Sequence, residues 1–228
     1  MRAPVLIIGH SGEAAARSLV AAWPGGGARL LTPANFFRSR LSWRADAKGR
    51  AVSAIGATPV DVDSISGVVT LIDGVFASDL PQVAPADRVY VAGEMTAFLS
   101  VWLHTLPCPK LNPPSLTSLC GQKDFLLWRA HALACGLSAP SVDVSAPLRR
   151  DDAALRLTII GDRALGSTDR EAIGFARALS DRTRLPMLSL RLERTPDGFA
   201  FAGATALPDV NHPEIAEAVF AFFGEAER

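Results

Sequence analysis

The segment between Asn35 and Gly56 concentrates cationic and aromatic side chains. It contains Phe36, Phe37, Arg38, Arg40, Trp43, Arg44, Lys48 and Arg50. Apolar and polar residues alternate on both sides of Ala47–Gly49, which is typical of a β-hairpin or a long flap. An extended edge strand can pair with a peptide, arginines can hold the acidic side chains of that peptide, and Trp and Arg are enriched at interfaces. We therefore predict peptide binding at Arg38, Arg40, Trp43 and Arg44. The alternative is a partly exposed hairpin whose aromatic residues pack against the core.

Other patterns that could support chemistry are incomplete. Gly9-His10-Ser11-Gly12 lacks the Lys-Ser/Thr of a phosphate-binding loop and is expected to be a plain turn between a strand and a helix. The histidines and cysteines are widely spaced: His10, His104, His131, His212, Cys108, Cys120 and Cys135. They form neither a C-x-x-C pair nor an H-E-x-x-H motif. The residues therefore predict no metal, no cofactor and no catalytic residue.

The composition is that of a packed globular protein with balanced charge. The chain has 228 residues, of which 49% are hydrophobic and 20% are charged, and its formal net charge is zero. A neutral chain does not favour a nucleic-acid partner, because phosphate neutralisation requires excess basic charge. The short apolar run at the N-terminus is expected to be a strand rather than a signal peptide, and no stretch predicts a membrane span. With unpaired cysteines, this predicts a cytoplasmic protein.

The first half of the chain has the pattern of an open parallel sheet. Buried strands are predicted at residues 5–8, 28–31 and 67–72, with a helix after Ser11 between the first two. A further strand is predicted at 87–91. The 3.6-residue periodicity then predicts a helix over 94–106.

The second half begins after a proline-rich link and mixes helices with antiparallel strands. The predicted elements are a helix at 122–135, strands at 141–145 and 155–160, a helix at 169–181, a hairpin of 187–192 with 199–202, and a helix at 213–223. We therefore predict two domains, 1–110 and 111–228.

The order of motifs in the second half resembles the ATP-grasp ligases. Asn112-Pro113 is followed by Lys123 on the next helix and by Gly136-Leu137-x-x-Pro140. The segments 155–163 and 185–223 then resemble the family's Gly-Asp strand, terminal hairpin and last helix. The resemblance covers nearly the whole chain and is nearest to the graspetide or microviridin type of ligase. It implies an α/β fold in two parts. The first is an N-terminal open parallel-sheet domain like the domain that precedes the ATP-grasp domain in these ligases, and the second is a small α+β remnant of the ATP-grasp C-terminal domain.

The chain departs from this family at two places. Only residues 144–154 lie where the family carries its second phosphate-binding lysine, glycine-rich lid and adenine-binding linker. The resemblance also places Gly203 and Thr205 at the positions of a magnesium-binding Glu and Asn, and Ser189 or Arg191 at that of an acidic residue. Magnesium needs oxygen ligands, usually carboxylates. The resemblance therefore implies a truncated, degenerate ATP-grasp without a nucleotide or metal site.

Such truncated relatives resemble the peptide-binding ATP-grasp homologues of crocagin-type peptide pathways. This implies a non-catalytic protein that binds a ribosomal precursor peptide and assists its modification by other biosynthetic enzymes. Because the resembled ligases often pair, a homodimer is expected. Two alternatives stay open: an ATP-dependent carboxylate–amine ligase working with a reduced site or a partner subunit, and a regulatory subunit of a complete ligase.

Overall fold

The computed structural model describes residues 4–10, 12–38, 43–45, 51–53, 65–115, 117–121, 124–139 and 154–225. The chain divides into two compact units, Met1–Gly121 with Asp209–Arg228, and Gln122–Pro208. The first unit contains β1 (Val5–Ile8), α1 (Ala14–Ala21), β2 (Ala28–Leu31), α2 (Pro33–Arg38), β3 (Trp43–Ala45), β4 (Ala51–Ser53), β5 (Gly67–Thr70), α3 (Arg88–Thr105), β6 (Lys110–Leu111) and α6 (Pro213–Glu225). The second contains α4 (Phe125–Ala134), β7 (Leu155–Ile160), β8 (Arg163–Leu165), α5 (Arg170–Thr183), β9 (Met187–Thr195) and β10 (Gly198–Thr205).

A four-stranded parallel sheet in the order β2-β1-β5-β6 organises the first unit. Leu6 and Val68 lie on one face of this sheet and pack in a core with Trp102 of α3. On the other face, the Phe223 ring of α6 lies against Gly67. Trp23, just after α1, contacts Phe223 at 5.9 Å between ring centroids. The sheet is therefore covered on both faces, which explains why its central strands are continuously apolar.

The second unit is an antiparallel sheet in the order β10-β9-β7-β8. Leu190 and Leu192 of β9 are completely buried. Phe201 of β10 lies opposite Leu192, and its ring centroid is 6.1 Å from that of Phe125 in α4. Arg194 is on the same face of β9 as Leu192, and its Nη2 is 3.2 Å from the carboxylate of Asp169, which caps α5. The helices α4 and α5 therefore cover this face, and the odd-numbered residues of β9 lie on the opposite face.

These two sheets confirm the predicted fold class, a mixed α/β chain that begins with an open parallel sheet and continues with helices and an antiparallel sheet. The bounds of the compact units differ from the predicted domains. Residues 111–121 and the C-terminal helix α6 belong to the first unit rather than to the second. Within the described residues, no helix is long and apolar enough to cross a membrane.

The strand predicted at 87–91 is wrong, because α3 already begins at Arg88. Arg88 donates through Nε to the carbonyl of Val83 at 2.9 Å and through Nη2 to that of Pro81 at 3.0 Å. These hydrogen bonds connect the first turn of α3 to the preceding loop. Val89 and Tyr90 are 75% and 71% exposed. The apolar residues of this segment are therefore not buried in a sheet.

The predicted hairpin between Asn35 and Gly56 is confirmed in part. Its first residues belong to α2, which begins after Thr32, whose hydroxyl accepts from the Asn35 N–H at 3.2 Å. β3 and β4 then pair antiparallel. The strand predicted at 141–145 lies outside the described residues.

Candidate functional site

The predicted peptide-binding residues lie in α2 and β3 or outside the described part of the chain. Arg38 is the last residue of α2, and Trp43 and Arg44 pair with Ser53 and Val52 across the hairpin. Arg40 lies outside the described residues, as does Lys123. The neighbouring Phe36 is 5% exposed, and its ring packs edge-on against Trp102, 5.7 Å between centroids. One aromatic residue of the segment therefore belongs to the core, and the peptide-binding role of the four residues stays a prediction.

The register of the antiparallel sheet brings the four suspected magnesium positions together. Ser189 pairs with Thr205 and Arg191 with Gly203 across β9 and β10. A register shift between Phe201 and Gly203 produces this alignment. The four positions therefore form two adjacent rows on the face opposite α4 and α5.

Strand β7 adds Arg156 and Thr158 to these rows, two residues of the strand that resembles the family's Arg-x-Thr-hydrophobic-Gly-Asp motif. Thr158 pairs with Ser189 and Arg156 with Arg191. The motif identified the strand, but its alignment with β9 was not predicted, because no local pattern specifies the register. The two rows thus run across three strands.

A guanidinium group occupies the space above Gly203. A Cβ atom at Gly203 would lie 2.8 Å from Nη2 and 3.3 Å from Nε of Arg191. The Arg191 guanidinium therefore packs directly against the backbone of residue 203, and a side chain at this position would displace it.

The neighbouring row consists of hydroxyl groups. Thr158 Oγ1 and Ser189 Oγ are 2.6 Å apart, and Thr205 Oγ1 accepts from the Leu207 N–H at 3.1 Å. Among the described residues no cluster of three or more His, Cys, Asp or Glu side chains could hold a metal ion. Magnesium prefers carboxylate oxygens, and a fixed guanidinium repels a second cation. These residues do not fit a magnesium ion.

A second candidate site is a cleft of about 740 Å³ in the first unit. It lies beyond the carboxyl ends of β1 and β2 and is lined in part by His10, Glu13, Arg17, Phe76 and Asp79. In open α/β sheets ligands bind at this end of the strands, where the strand order reverses. The strand order reverses between β1 and β5, because the chain continues from β1 to β2 on one side of the sheet and from β5 to β6 on the other.

The cleft holds a histidine–carboxylate pair. His10 Nδ1 is 3.0 and 3.1 Å from the two carboxylate oxygens of Asp79. The backbone N–H of His10 donates to Glu13 Oε2 at 3.3 Å, and the Phe76 ring lies 5.5 Å from the imidazole. His10 does lie in the turn between β1 and α1, as the sequence predicts. Its role in the cleft was missed because Asp79 is 69 residues away.

None of the three cysteines is a candidate nucleophile. None of them takes part in a disulfide bond. Burial raises the pKa of Cys108 and of Cys135 above the ordinary value of 9.0, and Cys120 is only 2% exposed. A thiol with a raised pKa stays protonated at neutral pH and reacts slowly.

The chain matches no family model and no curated protein sequence. It is similar to solved structures along its whole length. The macrocyclase MdnC bound with precursor peptide MdnA, from Microcystis aeruginosa MRC, is 14% identical with a TM-score of 0.70, over 96% of this chain and 99% of that one. The ATP-grasp ligase PsnB complexed with minimal precursor is 10% identical with a TM-score of 0.71, over 100% and 99%.

A third similar structure is a Chryseobacterium gregarium RiPP-associated ATP-grasp ligase in complex with ADP and a leader and core peptide. It is 12% identical with a TM-score of 0.65, over 99% of this chain and 97% of that one. Identities this low establish the fold and not the activity. The chain therefore has the fold of the ATP-grasp ligases associated with ribosomal peptide modification, the group that its motif order resembles.

Proposed function

We propose that this chain is a non-catalytic protein that binds a ribosomal precursor peptide and assists its modification by other enzymes of the same pathway. The peptide is proposed because the MdnC, PsnB and Chryseobacterium structures each contain a precursor or a leader and core peptide. The non-catalytic role rests on one observation, the Arg191 guanidinium packed on Gly203 at a suspected magnesium position.

The physical reason lies in the charge that phosphoryl transfer must neutralise. Magnesium ions bridge the transferred phosphoryl group and offset its developing charge. The rows around Arg191 offer hydroxyl groups and guanidinium groups instead of carboxylates. This favours a fold used for binding.

The main test is binding of a labelled ribosomal precursor peptide, chosen from any short open reading frames that neighbour the gene of this chain. Fluorescence anisotropy with the labelled peptide should give a saturable isotherm, and a scrambled peptide of the same composition should bind more weakly. An absence of binding up to high micromolar concentration would contradict the proposal.

A second candidate function is an ATP-dependent carboxylate–amine ligase, or a regulatory subunit of one. The shared fold supports it, since one similar structure contains ADP. A ligand that binds the native state raises Tm by mass action. We expect Mg-ATP to leave Tm unchanged, whereas a saturable rise in Tm would favour the ligase. Co-purification with a complete ligase would favour the regulatory subunit.

The proposal includes a cytoplasmic location and a homodimer. None of the three cysteines forms a disulfide bond, which suits a reducing compartment. Helix α3 exposes apolar side chains, among them Val89, Tyr90 and Val101, and exposed apolar surface favours association. Light scattering coupled to size-exclusion chromatography measures the oligomeric state, and a monomer at micromolar concentration contradicts the dimer.

A further inference from the structure

Two arginines face each other across neighbouring strands, and among the described residues neither forms an ion pair. Arg156 and Arg191 are direct register partners on β7 and β9. Side chains so placed have Cβ atoms about 4.5–5.5 Å apart, and like charges there are destabilising. Within the part of the chain that the structure describes, neither guanidinium has a hydrogen bond or an ion pair. Glu193, on the same face of β9, forms an ion pair with neither of them.

One of these cations packs against the backbone at Gly203. Three guanidine atoms of Arg191 lie 2.8, 3.3 and 3.5 Å from the position that a Cβ would take at residue 203. The side chain of Arg191 is therefore packed against the sheet rather than extended into solvent. A partly buried cation interacts more strongly with an anion than an exposed one does, because water screens it less.

The adjacent row supplies further donors. In the pair formed by Thr158 and Ser189 one hydroxyl donates to the other, so the accepting hydroxyl keeps its own proton available. Thr205 likewise accepts from the Leu207 N–H and keeps its proton. The two rows lie about 7 Å apart along the strands. These two rows thus carry two guanidinium groups and the hydroxyl groups of the buried Thr158, of Ser189 and of Thr205, and Glu193 lies one row further along β9.

We infer that this face is an anion site that binds an acidic side chain of the peptide. The inference rests on the proposed function, because the peptide supplies the carboxylate. A guanidinium matches a carboxylate with two parallel hydrogen bonds, and such charge-assisted bonds are among the strongest in proteins. A bound carboxylate also removes the repulsion between Arg156 and Arg191. The site is thus the electrostatic opposite of a magnesium site at the same place in the fold.

The test uses the full chain with two labelled probes of equal length, an oligoglutamate peptide and an oligoglutamine peptide. The wild-type chain should bind oligoglutamate in a salt-dependent manner and oligoglutamine at least tenfold more weakly. Arg156→Gln and Arg191→Gln should each weaken oligoglutamate binding roughly tenfold, the usual range for a hydrogen bond to a charged group. The charge-matched control is Arg170→Gln, since Arg170 is exposed at the start of α5 on the opposite face. It should leave the affinity unchanged.

Two further variants separate geometry from net charge. Gly203→Ala keeps every charge but pushes the Arg191 guanidinium off the sheet, and it should weaken binding of oligoglutamate. Arg191→Lys keeps the charge but loses the bidentate donor, and it should also weaken binding of oligoglutamate. It replaces Gly203→Ala in the test if that variant does not fold. Full affinity in both Arg191→Lys and a folded Gly203→Ala would overturn the inference.

The outcomes also distinguish this inference from the proposed function. Equal binding of oligoglutamate and oligoglutamine overturns the anion site, whereas competition by inorganic phosphate or ATP at lower concentration than by free glutamate overturns the assignment of a carboxylate as its ligand. A precursor peptide that binds equally after its Asp and Glu residues are changed to Asn and Gln overturns the anion site alone. If the precursor does not bind at all, the proposed function fails, while Arg191-dependent binding of oligoglutamate would still support the site.

Discussion

Asp169 begins helix α5 and pairs with a strand of the antiparallel sheet. Its Oδ1 accepts from the N–H groups of Glu171 at 3.0 Å and Ala172 at 3.3 Å, and its Oδ2 accepts from Arg194 at 3.2 Å. The hydrogen bond from the Ala172 N–H is the largest cause that lowers the pKa of Asp169 below its ordinary value of 3.8, and Arg194 acts in the same direction. A lowered pKa contributes stability above the unfolded pKa, and that stability is lost as the pH falls through the folded pKa.

We therefore expect Asp169→Ala to lower Tm at neutral pH, because the helix loses its cap. Asp169→Asn keeps an acceptor for the cap and should lower Tm less. Both variants should lose part of the fall in Tm that the wild type shows below pH 3.8, the ordinary pKa of this carboxyl group. Calorimetry between neutral and acidic pH measures all three curves. An Asn variant as unstable as the Ala variant would show that the pairing with Arg194, and not the cap, dominates.

Trp43 is the residue on which the predicted peptide-binding hairpin can be tested most directly. It lies in β3 opposite Ser53, and Trp is the residue type most enriched among the energetically dominant contacts of interfaces. Trp43→Ala should weaken precursor binding about tenfold or more with little change in Tm. Trp23→Ala is the contrasting variant, because Trp23 packs against Phe220 at 4.9 Å. It should lower Tm with little effect on the affinity of the folded protein, and the opposite pattern would contradict the prediction.

At the scale of elements, strand β5 and helix α6 approach each other closely at Gly67. A Cβ atom at this position would overlap two ring carbons of Phe223, whose side chain is buried. Gly67→Ala should therefore lower the free energy of unfolding by about 1–3 kcal/mol, the usual cost of overpacking a core. Adding Phe223→Leu should recover part of this loss, so the two changes would not be additive.

The matched control for this prediction is another glycine-to-alanine change. Gly93 lies on the exposed side of α3, and a Cβ there meets no atom within 4 Å. Gly93→Ala should leave stability unchanged or raise it by about 0.5–1 kcal/mol through helix propensity. Urea denaturation measures both variants. Equal effects at Gly67 and Gly93 would show that the contact with Phe223 is not limiting.

The elements that could be predicted from the sequence are those whose own residues carry the signal. The apolar run Val5–Ile8 and the strong turn at residues 196–198 both form as expected. The pattern at residues 87–91 predicts a strand that does not form, because the β-branched and aromatic residues there are exposed on a helix. The candidate sites depend on contacts between distant residues, such as His10 with Asp79 or Arg156 with Arg191. No local pattern encodes those pairings.

At the scale of the whole molecule, fold and site give different information. The fold matches ligase structures over 96% to 100% of this chain. The face of the antiparallel sheet at Arg191 and Gly203, however, has cationic and hydroxyl groups where the resemblance placed magnesium ligands. Function depends on the site and not on the fold. The replacement of the expected acidic ligands by cationic groups therefore favours a binding role for the same fold.

The C-terminal segment of the chain belongs to the first compact unit. Residues 209–228 belong to the same compact unit as residues 1–121, and Val219 and Phe223 of α6 are 0% and 5% exposed. A chain that ends at Pro208 would leave the α6 face of the parallel sheet open to water, including the face around Gly67. We expect this truncation to lose the cooperative unfolding of the first unit, since the lost burial is a large fraction of a domain's marginal stability.

Amide hydrogen exchange followed by mass spectrometry tests this directly. In the truncated chain, protection should fall in β1 and β5, whereas β7 and β9 of the second unit should retain most of theirs, because residues 122–208 form a compact unit of their own. Removing only residues 226–228, beyond the end of α6, is the control and should change neither set of strands. Retained protection in β1 and β5 after removal of the whole helix would mean that the parallel sheet is stable without α6. Loss of protection in β7 and β9 as well would mean that the two units unfold together.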